Sequence, residues 1–202
     1  MKKFICIMPT SVLESHVYEA VGNEKIGYQN STTSFPIIPL IKGYTESEED
    51  LQVIPVLTAS DSTSLSNAVS LTHELEAIDR DALITSINAD LSKSVDGSIE
   101  LLTKLIPLLE DGDHLYVCLH FASTTVQFAI ISALQYAYRA LRNVSIECVC
   151  TQGENEGKHQ NVDITALVQA GELLQTLTER HHKDPAKILR MTLALGEEED
   201  EE

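Results

Sequence analysis

The segment from His114 to Gln152 has the pattern of a strand, a hydroxyl-rich turn, a long amphipathic helix and a second strand. Its first strand, Leu115 to Leu119, is nearly all apolar, as expected for a strand that a sheet buries on both faces. After the turn at residues 122–125, apolar side chains recur on one helical face, and the second strand covers Val144 to Cys150. This pattern predicts two parallel strands joined by a right-handed helical crossover.

The same alternation of strands and helices extends along most of the chain. Apolar runs predict further strands at Lys3–Met8, Leu51–Leu57 and Ala82–Ile87, and amphipathic runs predict helices at Val12–Val21, Asn67–Ile78, Ser98–Leu109, Val162–His182 and Lys187–Leu195. The polar stretches Gly22–Thr33 and Gly153–Asn161 predict loops, and Phe35–Ile41, with two prolines, predicts a helical turn or an irregular core segment. Five strands alternating with helices indicate an α/β fold, in which helices flank a parallel sheet on both faces.

The chain is expected to form one domain, residues 1–195, followed by an acidic tail, residues 196–202. The tail carries six acidic residues in succession and no apolar side chain that could dock, so we expect it to be disordered. At the other end of the domain, Ser11 is expected to cap the helix that begins at Val12, with Glu14 at capping-box spacing.

The charge of the chain limits its partners. The formal net charge is −17, and it stays at −11 without the six acidic residues of the tail. Duplex nucleic acid and anionic membrane surfaces are therefore excluded as expected partners, because both require a basic face. A short anionic ligand held by backbone amides remains compatible with this charge. No apolar run approaches the roughly 20 residues of a membrane span, and we expect a soluble cytoplasmic protein.

The cysteines and histidines do not form a recognisable metal or catalytic motif. All four cysteines, Cys6, Cys118, Cys148 and Cys150, lie in predicted strands and are interpreted as buried apolar thiols. No further ligands at matching spacing are visible, so no metal and no cofactor is predicted. His120, at the end of a strand, faces either the core or a cleft, and a structural role is favoured over a catalytic one.

Small polar residues follow the strands where these end. The candidate ligand-binding residues are Thr10, Ser11, Thr58, Ser60, Ser123, Thr124, Thr125 and Gln127. Because ligands of open parallel sheets bind beyond the carboxyl ends of the strands, these side chains are placed where a ligand is expected. The turn at residues 122–125 also opens a helix, whose free amides and dipole favour an anion or a phosphate. The alternative is that the hydroxyls only cap helices and complete turns.

The order of these segments resembles a known family. The strand VIPVLT follows the stretch TTSFPIIPLIKGY, the helix ending in LQYAYRAL leads into SIECVCTQ, and Asp163-Ile164-Thr165 opens the last long helix. This layout is similar to CARF domains, the CRISPR-associated Rossmann fold of type III CRISPR systems, and implies a Rossmann-like sheet. Family members often carry an Asp, a Gly and a basic residue in the turn that corresponds to Leu119–Thr125. Here Ser123 stands in place of the Gly and Thr125 in place of the basic residue.

The resemblance implies a homodimer that binds a cyclic oligoadenylate, a tetra- or hexa-adenylate ring, across its two-fold axis. The dimer would form through the helices that flank the first and fourth strand-end loops. Standalone family members can be ring nucleases, which degrade this second messenger in antiviral signalling without a metal. Ser11 and Thr125 would then be the catalytic hydroxyls.

Two other interpretations remain open. In one, the protein is a non-catalytic sensor that binds the messenger and relays binding to a partner or effector. In the other, it is an unrelated small Rossmann-like nucleotide-binding enzyme.

Overall fold

The computed structural model describes residues 1–47, 49–91 and 94–192. The strands in these residues are β1 (Lys2–Ile7), β2 (His16–Val21), β3 (Tyr28–Thr33), β4 (Leu51–Thr58), β5 (Ala82–Ile84), β6 (Ile87–Ala89), β7 (His114–Cys118), β8 (Ser145–Asn155) and β9 (Lys158–Asp163). The α-helices are α1 (Ile37–Tyr44), α2 (Ser62–Ala77), α3 (Val95–Leu105), α4 (Thr124–Ala140), α5 (Thr165–Glu179) and α6 (Pro185–Thr192). The acidic tail and the end of the last predicted helix lie outside the described residues.

The strands form one mixed sheet in the order β3-β2-β9-β8-β7-β1-β4-β5, with β6 also paired to β4. The central strands β8, β7, β1 and β4 are mutually parallel, which confirms the Rossmann-like α/β fold. The sheet is not wholly parallel, however, because β8 pairs with β9 and β2 pairs with β3 in antiparallel fashion. β9 and β2 are parallel to each other and carry the sheet beyond β8.

Two apolar cores fill the space on the two faces of the sheet. Because successive side chains of a strand point to opposite faces, Phe4 and Cys6 of β1 pack on one face and Ile5 and Ile7 on the other. The first core includes residues of α1 and α2, and the second includes residues of α3, α4 and α5. This arrangement explains why β1, β4 and β7 are almost continuously apolar.

The helix predicted at Val12–Val21 is wrong, since His16–Val21 forms strand β2 instead. Tyr18 is buried whereas Val17 and Val21 are exposed, and backbone pairing to β9 on one side and to β3 on the other fixes the strand. Ser11 therefore does not cap a helix.

The two predicted loops are also wrong. Gly22–Thr33 contains a short 3-10 helix and β3, and Gly153–Asn161 forms the hairpin of β8 and β9.

The hairpin turns at Glu156-Gly157, where both residues have positive φ, 51° and 76°. Such a turn matches the right-handed twist of antiparallel strands, and glycine adopts its second position without strain.

A smaller difference concerns the predicted strand Ala82–Ile87, which is divided into β5 and β6. The described residues thus contain nine strands and not the five predicted, because β2, β3 and β9 were not recognised and one predicted strand is divided.

Candidate ligand site at the carboxyl edge of the sheet

The loops that follow the neighbouring parallel strands β1 and β7 meet at the carboxyl edge of the sheet. Val12 and Leu13 from the first loop and His120 and Phe121 from the second line one depression of about 250 Å³. Its remaining wall comes from the loop just before β2, from β2 and β9, which the sequence did not predict, and from the end of β8. These lining residues are Glu14, His16, Tyr18, Gln152 and His159.

A second depression, of about 620 Å³, adjoins the start of α4. It shares His120, Phe121 and Gln152 with the first depression. The residues that line only the second are Leu119, Ala122, Ser123, Gln127, Thr151, Gly153 and Glu154. Ser123 and Gln127 are therefore the two predicted ligand-binding residues that line a depression. A ligand larger than one nucleotide could contact both depressions around Phe121.

The first turn of α4 has no side-chain cap. Ser123 occupies the N-cap position in extended conformation, but its side chain makes no capping hydrogen bond. Its hydroxyl instead lies 3.1 Å from the hydroxyl of Thr125, and Gln127 donates to the Ala122 carbonyl at 3.1 Å. The first amides of a helix have no partner within the helix, so those of this turn can donate to a phosphate.

The other predicted residues lie outside the two depressions. Thr10 and Ser11 are exposed, and the backbone of their loop is held by Asn67 of α2, whose side-chain amide donates to the Pro9 and Ser11 carbonyls at 2.9 and 3.0 Å. Thr58 and Ser60 precede α2, which Asp61 caps through the Ser64 amide at 2.6 Å. Thr124 and Thr125 begin α4 but do not line either depression, so the structure does not bring all eight residues together.

Three histidines and a tyrosine line the first depression, and of these only His120 was expected to face either the core or a cleft. The rings of His16 and His159 lie 3.8 Å apart between centroids, and the ring of Tyr18 meets His120 edge-on at 6.0 Å. His16, Tyr18 and His159 were missed because β2 was interpreted as a helix and His159 of β9 as part of a loop.

Burial raises the pKa of Tyr18 to about 12, with smaller contributions from the nearby Cys118 and Glu74. Its phenol therefore stays protonated over the physiological range. Among the residues lining the two depressions in the described chain, none is a lysine or an arginine, and Glu14 and Glu154 are acidic. A phosphate here would depend on amides, hydroxyls and imidazoles.

Beneath the depressions, Cys118, His120 and Cys150 have ligand atoms that all lie within 4.8 Å of one another. Burial opposes ionisation of Cys118, but a hydrogen bond from Cys150 and the electrostatic influence of His120 lower its pKa well below the ordinary value. The same hydrogen bond, with burial, raises the pKa of Cys150. These side chains are the candidate metal ligands of the described residues.

No protein-family model and no curated protein sequence matches this chain. The fold and the site geometry are therefore the basis for any functional assignment.

Among the residues that the structure describes, no helix has both the length and the apolar composition needed to cross a bilayer.

Proposed function

We propose that the protein is a CARF-type module that binds a cyclic oligoadenylate, as a homodimer, at the carboxyl edge of its sheet. The observation that carries this proposal is the uncapped first turn of α4 beside a depression of about 620 Å³. Ligands of doubly wound sheets bind at this edge, and helix N-termini bind phosphates.

The lining chemistry supports a nucleotide. The first amides of α4 and the Ser123 hydroxyl would bind a backbone phosphate of the ring. Phe121, which is 40% exposed and lines both depressions, offers an aromatic face on which adenine can stack. Gln127 adds a side-chain amide of the kind that recognises a base edge.

Exposed apolar side chains around the site support a dimer. Val12 is 86% exposed at the first depression, and Phe128, one turn into α4, is 67% exposed. Leu65 and Val69 on α2 are exposed as well. A ring ligand with two-fold symmetry would be contacted by the same loops of both subunits, which also covers these side chains.

Cleavage of the ring would follow the metal-independent route. A ribose 2′-oxygen attacks the adjacent phosphorus and loses its proton to a base, while the 5′-oxygen of the next nucleotide leaves and takes up a proton. The product is a linear oligoadenylate that ends in a 2′,3′-cyclic phosphate. In this proposal the first turn of α4 and Ser123 hold the phosphate, and His16 or His159 in the first depression accepts the proton. Ser11 and Thr125, the catalytic hydroxyls that the resemblance implies, lie outside both depressions.

A non-catalytic sensor is the second candidate function. It is favoured by the lack of lysine and arginine among the described lining residues, because a cation is a common means of stabilising the charge of a phosphoryl transition state.

The test is to incubate the pure protein with cyclic tetra-adenylate and cyclic hexa-adenylate, without added metal, and to separate the products by chromatography. Conversion to linear product supports the ring nuclease. Binding of an unchanged ring supports the sensor, and failure of both rings to bind contradicts the proposal and leaves the unrelated nucleotide-binding enzyme.

A further inference from the structure

Cys118 and Cys150 are held side by side by the register of the sheet. They are paired positions of the parallel strands β7 and β8, where neighbouring backbones lie about 4.8 Å apart. Both side chains belong to the core on the α1 and α2 face. His120 lies two residues after Cys118, just past the end of β7, so that its side chain returns to the same face.

The distances in this cluster are those of a metal site that needs only small adjustments. Zinc bonds of about 2.3 Å to sulfur and 2.05 Å to nitrogen place tetrahedral sulfur and nitrogen ligands about 3.6 Å apart. The Cys118 Sγ lies 3.4 Å from the His120 Nδ1, and all three ligand atoms fall within 4.8 Å of one another.

His120 is deeply buried next to the two thiols, and one of its two ring nitrogens has no partner among the described residues. The side chain is 3% exposed, and its Nε2 is buried without a hydrogen-bond partner in the described chain. Buried polar atoms of this kind are rare in native proteins, since each costs the desolvation of the group. Because Nδ1 is the nitrogen that faces Cys118, Nδ1 would bind the metal and Nε2 would carry the ring hydrogen.

A small cavity of about 10 Å³ lies beside the cluster and provides room for a fourth ligand. Cys6, Met8, Cys118, His120 and Phe121 contribute to its walls. Such a volume holds about one water molecule, and Cys6, the paired position of Cys118 on β1, is a further sulfur donor.

We propose that Cys118, His120 and Cys150 bind one Zn²⁺ ion, with a water molecule in the fourth position. Two thiolates and one imidazole are ligands that zinc prefers, whereas calcium and magnesium require oxygen. With two thiolates the divalent complex is neutral, and a neutral group is the least costly to bury in an apolar core. A monovalent copper ion with the same ligands would leave a buried negative charge.

The ion would fix the loop that forms the ligand site. His120 and Phe121 line both depressions, and Leu119–Ser123 connects the cluster to the first turn of α4. Zinc would thus set the position of this loop from below, whatever ligand the depressions bind.

The test uses full-length protein kept reduced throughout. Metal content is measured on the protein as purified, and again after removal by a chelator and titration with Zn²⁺, Cu⁺ or the spectroscopic probe Co²⁺. We expect one Zn²⁺ per chain, a rise in the melting temperature with zinc, and the intense sulfur-to-cobalt absorption of a tetrahedral thiolate site.

The variants Cys118→Ser, Cys150→Ser and His120→Gln should each lose the zinc and the absorption band. Cys148→Ser is the matched control, because Cys148 is a buried cysteine of the same core whose sulfur contacts Asn23 and Asp163 instead, at 3.9 and 3.8 Å. It should retain one zinc per chain.

If a variant fails to fold, the number of zinc ions bound per wild-type chain still tests the proposal. A wild-type protein that takes up neither Zn²⁺ nor Co²⁺, binds only Cu⁺, or keeps its zinc in a Cys118→Ser, Cys150→Ser double variant would overturn the proposal.

Discussion

The loops after β1 and β7 follow adjacent parallel strands, but they differ in how they are held and in what they expose. The loop after β1 presents Thr10 and Ser11 to solvent, and a side chain of α2, Asn67, fixes its backbone from outside. The loop after β7 is anchored from inside by the buried His120, and Phe121 adopts a positive φ of 64° before α4 begins.

The two loops therefore have different roles at the carboxyl edge of the sheet. The first loop supplies Val12 and Leu13 to the wall of a depression, while its hydroxyls lie outside both depressions. The second loop lines both depressions through His120 and Phe121, and it leads directly into the uncapped first turn of α4. In the proposed site the phosphate is therefore bound on the β7 side of the edge.

The largest effect is expected from Thr124→Glu at the first position of α4. The new carboxylate would lie at the turn that binds the phosphate, and like charges at such a contact cost several kcal/mol, so affinity should fall more than about a hundredfold. Titration calorimetry with cyclic oligoadenylate measures the loss. Val95→Glu is the control, because Val95 is the exposed first residue of α3. It should bind as the wild type does, and equal binding by Thr124→Glu would mean that this turn merely begins a helix.

Ser123→Ala and Ser11→Ala compare the two loops directly. A hydroxyl that donates to a charged phosphate contributes about 1.5–3 kcal/mol, so Ser123→Ala should weaken binding by roughly ten- to a hundredfold. Ser11→Ala should have the smaller effect, because Ser11 lies outside both depressions. Measured affinities in the opposite order would transfer the phosphate contact to the first loop.

Asn67→Ala should destabilise the fold, because it leaves the Pro9 and Ser11 carbonyls without their donor. An unsatisfied buried group costs about 1–3 kcal/mol, which a urea unfolding curve resolves. The exposed neighbour Ser66 provides the control Ser66→Ala, which should leave the free energy of unfolding nearly unchanged. If both variants were equally stable, the first loop would not depend on α2.

The smallest effect concerns alkaline pH. Because the pKa of Tyr18 is raised to about 12 in the folded protein, its contribution to stability is complete below its ordinary pKa of 10 and is lost as the pH rises towards 12. The urea midpoint should therefore fall over that interval, and less steeply in Tyr18→Phe. An identical decline in both proteins would remove Tyr18 as a cause.

The sequence was sufficient to predict elements whose apolar pattern is strong and local. The β7, α4 and β8 segment lies close to its expected position, since buried parallel strands are nearly all apolar and α4 has a continuous apolar face. The polar strands β2, β3 and β9 depend on backbone pairing between distant segments, as in the contact of Tyr18 with His159, which a local pattern does not reveal.

The same reason applies to the site. Ser123 and Gln127 could be predicted because they follow a recognisable strand and begin its helix. The approach of Cys118 to Cys150 could not, because these residues are 32 positions apart and their contact depends on strand register. The stacking of His16 on His159 depends likewise on the pairing of β2 with β9.

The stoichiometry of ligand binding tests the central proposal most directly. Calorimetric titration of the protein with cyclic tetra- and hexa-adenylate, combined with light scattering of the complex, should give one ring bound per two chains and the mass of a dimer. A protein that remains monomeric and takes up neither ring at micromolar concentration would contradict the proposal that this edge of the sheet is a cyclic-oligoadenylate site.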